Sequence, residues 1–75
     1  MRNNQSPLER AIGEYETVCR QLEYLRREQA RFTNPVVRRE YGQRIANARK
    51  AAEAYIEHVR KFEPKYEPMV DYRRI

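Results

Sequence analysis

One cysteine and one histidine are all the soft-ligand chemistry in this 75-residue chain, which has no tryptophan and only two glycines. A lone cysteine closes no loop on itself. One Cys with one His also falls short of the four ligands that a structural zinc site takes. No uncharged apolar run approaches the ~20 residues of a membrane helix. The opening residues, Met1-Arg2-Asn3-Asn4-Gln5-Ser6-Pro7, lack the apolar stretch of a secretion signal. Glycine-rich phosphate loops, paired catalytic carboxylates and metal-ligand spacings are likewise missing. The expectation is a cytoplasmic, non-enzymatic protein with no cofactor, no metal and no membrane contact.

A chain this short removes only about 60% of its unfolded surface from water, and a lone core of this size contributes ~3–5 kcal/mol. With disulfides and metal set aside, self-association is the remaining reinforcement. Charge, in contrast, is plentiful: sixteen Lys and Arg against eleven Asp and Glu leave a net charge of +5. That excess favours an anionic partner without choosing its class.

Ser6-Pro7-Leu8-Glu9 reads as a capping box with proline at the first helical position, where its missing N–H loses no bond. From Leu8 the slots 8, 11, 15, 18, 22, 25, 29 and 32 alternate three and four apart, and all but Gln29 are apolar. Thr33-Asn34-Pro35 interrupts the pattern, and Asn34 with Pro35 repeats the cap-then-proline start. A second set, Tyr41, Ile45, Ala48, Ala52, Tyr55, Val59 and Phe62, is apolar throughout and stops before Pro64. Helices over about 7–32 and 35–62 with a period of ~3.5 predict an all-α, coiled-coil-like antiparallel hairpin. The organisation is then a polar N-terminal arm at 1–6, a hairpin at 7–62 and an extended C-terminal tail at 63–75.

Folding the chain about Pro35 aligns Leu8 with Phe62, Ala11 with Val59, Tyr15 with Tyr55, Val18 with Ala52, Leu22 with Ala48 and Leu25 with Ile45. Gln29 opposite Tyr41 supplies one polar layer able to fix the register. One flank of this seam pairs Glu14 with His58 and Glu28 with Arg44 and is closed by charge. The other leaves Ile12, Cys19 and Ile56 outward. Those three are the expected oligomer interface of a helical bundle, most simply a homodimer, because a few hundred Å² buried there at ~25 cal/mol per Å² adds several kcal/mol. In the tail, Tyr66, Met69, Tyr72 and Ile75 recur at three, the polyproline II period, and are expected to anchor it in a groove of its own or a neighbouring hairpin.

Residues 24–45 hold Arg26, Arg27, Arg31, Arg38, Arg39 and Arg44 against Glu28 and Glu40, so the turn end carries most of the net charge. Arg38 and Arg39 fall where the helix dipole favours acidic side chains. Thirteen of the sixteen basic residues are Arg, the type suited to bidentate and stacked contacts. These six arginines are the expected partner-binding set, with Tyr24, Phe32 and Tyr41 as candidate stacking faces. His58 is expected to hydrogen-bond Glu14, and Cys19 to be a small buried hydrophobe. Gly42 costs ~1 kcal/mol relative to Ala inside a helix, and close approach of another group beside Arg26 would explain it.

The functional expectation is an oligomeric inhibitor, adaptor or regulator that docks its arginine-rich end and aromatic tail on the acidic surface of a larger protein. Two other anions stay open: nucleic-acid phosphates, and a small anionic nucleotide held between protomers. The pattern Tyr15-Glu16-Thr17-Val18, then Arg39-Glu40, then an alanine-rich helix ending Ala54-Tyr55-Ile56 resembles the helical-hairpin proteins with which phages trap cyclic oligonucleotide signals. The resemblance implies a phosphate contact at Arg39. The sequence departs from that pattern after Glu40, reading Tyr41-Gly42-Gln43 where a Ser-Leu-Ala run is expected.

Overall fold

A computed structural model describes residues 6–75. The N-terminal arm expected at 1–6 lies outside the described residues, Ser6 excepted. Two long helices, α1 (Pro7–Arg31) and α2 (Pro35–Phe62), pack against each other, and a 3-10 turn at Tyr72–Arg74 ends the chain. No strand occurs among the described residues.

Both starts follow from local chemistry. Ser6 Oγ accepts from the Glu9 N–H at 3.2 Å, while Glu9 Oε1 accepts from the Ser6 N–H at 2.9 Å. Asn34 Oδ1 accepts from the Val36 and Val37 N–H groups at 2.8 and 3.4 Å. Each cap satisfies donors that a helix start otherwise leaves to solvent, and each is followed by a proline that loses nothing there. Between them only Phe32, Thr33 and Asn34 connect the helices, so the chain must turn back on itself.

Shape records that reversal. A 28-residue helix such as α2 is ~42 Å long, and the longest dimension of the molecule is 44 Å. Its radius of gyration is 14.5 Å, against ~11 Å for a compact chain of this length. An elongated body has little interior. Its buried apolar residues are Ala11, Tyr15, Val18, Cys19 and Leu22 from α1 with Ile45, Ala52, Ile56 and Val59 from α2.

Most of these are the expected seam residues, but the core has moved off the seam. Tyr55 and Ala48 are only half-buried, whereas Cys19 and Ile56, expected to face outward, are buried. The cause is a third segment. Residues 63–75 double back from the end of α2 and lie against the flank that carries Ile12, Cys19 and Ile56, with Tyr66, Tyr72 and Ile75 packed on the core. The place assigned by the sequence to a second hairpin is taken, within one chain, by the chain's own arm. Ile12 stays half-buried beside it.

The arm is latched as well as packed. Tyr15, 1% exposed, donates its hydroxyl proton to the Val70 carbonyl at 2.7 Å and accepts from the Tyr72 N–H at 3.1 Å. The Tyr72 ring stands edge-on to the Tyr15 ring, with centroids 6.5 Å apart. Farther along, Arg49 donates to the Ile75 main-chain oxygen at 2.9 Å. The arm departs from the expected polyproline spacing: it turns at Glu63, whose carbonyl accepts from the Tyr66 N–H at 3.0 Å, and coils again after Asp71. Of the four expected anchors Met69 is therefore not one, and at 95% exposure it projects into solvent.

Candidate functional site

The short connection fixes where each arginine of the turn end goes. Arg38 is in the first turn of α2, which has no acidic residue, yet its guanidinium turns back to the preceding helix. Its Nη1 donates to the carbonyls of Gln29 and Phe32 at 2.9 and 3.0 Å. Those carbonyls are at the negative dipole end of α1, where a cation is favourable and the last acceptors need donors. Gln29 Nε2 in turn donates to the Arg38 carbonyl at 3.0 Å. The polar layer expected between Gln29 and Tyr41 is thus made with the Arg38 main chain, and Arg38 belongs to the turn.

Two more of the six arginines have partners. Arg31 pairs with Glu28 at 3.2 Å, one helical turn away on the same helix and with its own side chain largely in solvent. Glu28 therefore does not close the flank with Arg44 as expected. Arg44 instead lies over the Tyr41 ring, 5.4 Å from its centroid. Tyr41 stacks on Phe32 with centroids 5.5 Å apart and planes 21° from parallel, so these two rings are turned to each other. Tyr24 is the most exposed of the three candidate stacking rings.

Arg26, Arg27 and Arg39 remain. All three are exposed, and among the described residues none makes an ion pair or a side-chain hydrogen bond. Val36, 58% exposed, adds an apolar surface beside the turn. The arm brings a fourth arginine to this end, because it runs back along the hairpin and finishes beside α1. Arg74 and Ile75 join Glu23, Arg26 and Arg27 around an open cleft of about 400 Å³. Arg74 was not marked by periodicity, since the arm follows no helical repeat that would assign it a face, and the one available sign was its charge. Arg49 lies in α2 on the flank of Cys19, and nothing in the sequence marked it to hold the arm.

Opposite in sign is the groove of about 480 Å³ between α2 and the arm, lined by Glu53, Glu57, Glu67 and Asp71 with Arg60 and Arg73. Asp71 there is claimed by Arg73, whose Nε and Nη2 donate to its two oxygens at 3.1 Å each. That pairing holds the Asp71 carboxyl below its ordinary range. The molecule therefore has a basic turn end and a flank groove in which carboxylates predominate.

Tyr15 and Cys19 are the buried titratable groups. Burial pushes the Tyr15 hydroxyl up to about 12, with the Cys19 thiol adding to the shift and the Tyr72 amide opposing it. Burial also raises the Cys19 thiol, with Tyr15 acting the other way. A thiol held protonated under a packed arm is a poor nucleophile. His58 makes no hydrogen bond to Glu14; its ring sits edge-on to Phe62 at 5.2 Å, on the far side of a small cleft from Glu14. Gly42 faces the Gln29 amide, and a Cβ added there would meet Nε2 at 3.6 Å, an ordinary contact distance. No close approach therefore requires a glycine. Among the described residues no group of three or more His, Cys, Asp or Glu side chains is placed to hold a metal ion, and no helix is long and apolar enough to cross a membrane. Comparison with known proteins returns no matching family model, and no curated protein or solved structure with significant similarity.

Proposed function

We propose that this chain is a non-enzymatic interaction protein that presents its hairpin end, through Arg26, Arg27 and Arg39 with Val36 beside them, to the acidic surface of a larger cytoplasmic protein. The observation that carries this reading is the division of labour among the arginines. Arg38, Arg31 and Arg44 are consumed by the turn, by Glu28 and by Tyr41. Among the described residues Arg26, Arg27 and Arg39 make no ion pair and no side-chain hydrogen bond, although the connection holds their backbone on a stiff two-helix tip. A backbone already held by a rigid element adds no ordering cost of its own on docking, and an arginine fork matches a carboxylate in bidentate fashion. An exposed valine beside cations supplies apolar area of the kind found at interface cores. Steric blocking or bridging of the partner is the mechanism.

The test is capture from cells by the wild-type chain and by an Arg26→Glu/Arg27→Glu/Arg39→Glu variant, followed by binding of the purified partner to both. Charge reversal at these positions leaves the fold intact and lowers affinity at least tenfold. Equal affinity for both forms contradicts the reading. Nucleic acid is the competing anion, recognised by a steep linear fall of log affinity with log salt for short duplexes or single strands. A nucleotide between protomers is recognised by dimerisation that depends on the nucleotide.

A further inference from the structure

We propose that Arg26, Arg27 and Arg74 form a binding site for a compact polyvalent oxyanion of the phosphate type, and that filling it holds the C-terminal arm against the hairpin. The site shares two arginines with the hairpin end described above, but it does not depend on there being a protein partner.

The three arginines come from two segments far apart in sequence and line one open cleft of about 400 Å³. That volume lies in the range of small-molecule sites. Placement of Arg74 is not accidental to a loose end. The Arg74 N–H donates to the Asp71 carbonyl at 3.0 Å, and Arg49 holds the next residue through the Ile75 main-chain oxygen. Asp71, the nearest acidic side chain in sequence, is occupied by Arg73. Arg74 is therefore the cation of the arm that is left for the cleft.

Charge and geometry narrow the ligand. Glu23 is the one acidic side chain on the cleft wall, so the three arginine side chains leave it basic. A phosphate or pyrophosphate group offers several oxygens that suit these guanidinium forks, which a simple halide does not. With the cleft empty, like charges on α1 and the arm repel each other across it, and docking brings them together against that repulsion. An oxyanion between them turns repulsion into bridging. Occupancy and arm docking are then linked, and each favours the other by the same factor.

The Tyr72 N–H reports the arm directly, because its acceptor is the Tyr15 hydroxyl on α1. Inorganic pyrophosphate is titrated into the full chain at constant ionic strength, with chloride as the control, while ¹⁵N spectra and amide exchange are followed. The expected result is saturable shifts of the Arg26, Arg27 and Arg74 amides. At ~100 times the dissociation constant, exchange of the Tyr72 amide slows about a hundredfold. Arg74→Gln abolishes the saturation and the protection while the Leu22 and Ala52 signals stay in place. Arg26→Gln/Arg27→Gln does the same and serves if the arm variant perturbs the fold. Arg39→Glu leaves the pyrophosphate response unchanged, so this site and the docking surface fail separately. Shifts that never saturate, an equal response in Arg74→Gln, or unchanged Tyr72 exchange at saturation overturn the proposal.

Discussion

Gln29 and Arg38 hold each other twice across the turn. The Arg38 guanidinium donates to the Gln29 carbonyl at 2.9 Å, and the Gln29 side-chain amide donates to the Arg38 carbonyl at 3.0 Å. The same guanidinium reaches the Phe32 carbonyl at 3.0 Å, so one cation closes the end of α1 from the start of α2. Arg38→Ala loses both carbonyl contacts and is expected to cost about 1–2 kcal/mol, as a partly exposed charge-assisted cap does. In urea unfolding, Arg38→Ala and Gln29→Ala are expected to be non-additive, because each substitution already loosens the turn that the other supports.

The arm depends on one hydroxyl. Tyr15→Phe leaves the Val70 carbonyl and the Tyr72 N–H without the partner they share. Losing such a bond at a part-buried site costs about 1–3 kcal/mol. The expected outcome is local: amide exchange at Tyr72 accelerates at least fivefold, while exchange in the middle of α1 and α2 is unchanged.

The pH dependence has a definite sign. The Tyr15 hydroxyl titrates near 12 in the folded chain instead of its ordinary 10.0, so the folded state favours the protonated phenol. Its contribution is fully present below pH 10 and is lost as pH rises from about 10 through 12. Cys19 is raised as well from its ordinary 9.0 and acts in the same direction, so its contribution begins to be lost above pH 9.0. On the acid side, Asp71 is held below its ordinary 3.8 by Arg73, so its contribution is present above pH 3.8 and is lost on further acidification. Arm docking, followed as protection of the Tyr72 amide relative to a free peptide at the same pH, is expected to be flat between pH 3.8 and pH 9.0. A fall already complete by pH 8 contradicts this assignment.

Two glycines lie inside helices at no evident benefit. Nothing stands within 4 Å of a Cβ added at Gly13, and at Gly42 the nearest atom is at 3.6 Å. Replacing either by Ala is expected to stabilise the chain by about 0.5–1 kcal/mol. For a domain of this size that raises Tm by several degrees, at ~4–8 °C per kcal/mol.

Deleting residues 64–75 uncovers Ile12, Cys19 and Ile56 together. The truncated hairpin is expected to self-associate in light scattering at micromolar concentration, through the flank that the sequence marks as sticky. Cys19, buried and 2% exposed in the full chain, then reacts with a thiol reagent at least tenfold faster at concentrations where the truncated chain is monomeric.

The helices were legible in the sequence because each of their boundaries rests on a local device. Ser6 with Glu9, Asn34 with Pro35, and Pro64 after Phe62 need nothing from the rest of the molecule. The hairpin was legible because each helix carries an apolar face and the connection between them is short. Arg38 carried a sign that pointed two ways. A cation in the first turn of α2 is unfavourable for that helix, and only the three-residue connection brings it to the carbonyls of α1. The arm was not legible beyond its apolar content. Tyr66, Met69, Tyr72 and Ile75 share a spacing of three, but a bend at Glu63 and a 3-10 turn at Tyr72–Arg74 break any common face, and Met69 leaves it. For the same reason Arg74 could not be assigned to the basic end: its position is fixed by tertiary contact with Tyr15 and Arg49.

The account depends most on the arm of a single chain lying over the flank of its own hairpin. The direct measurement is a nuclear Overhauser spectrum of the full chain, recorded on a dilute sample shown by light scattering to be monomeric. The account predicts cross-peaks between the Tyr15 and Tyr72 rings, whose centroids are 6.5 Å apart, and a protected Tyr72 amide. A monomer with no such cross-peaks and with a Tyr72 amide exchanging at the rate of a free peptide contradicts it.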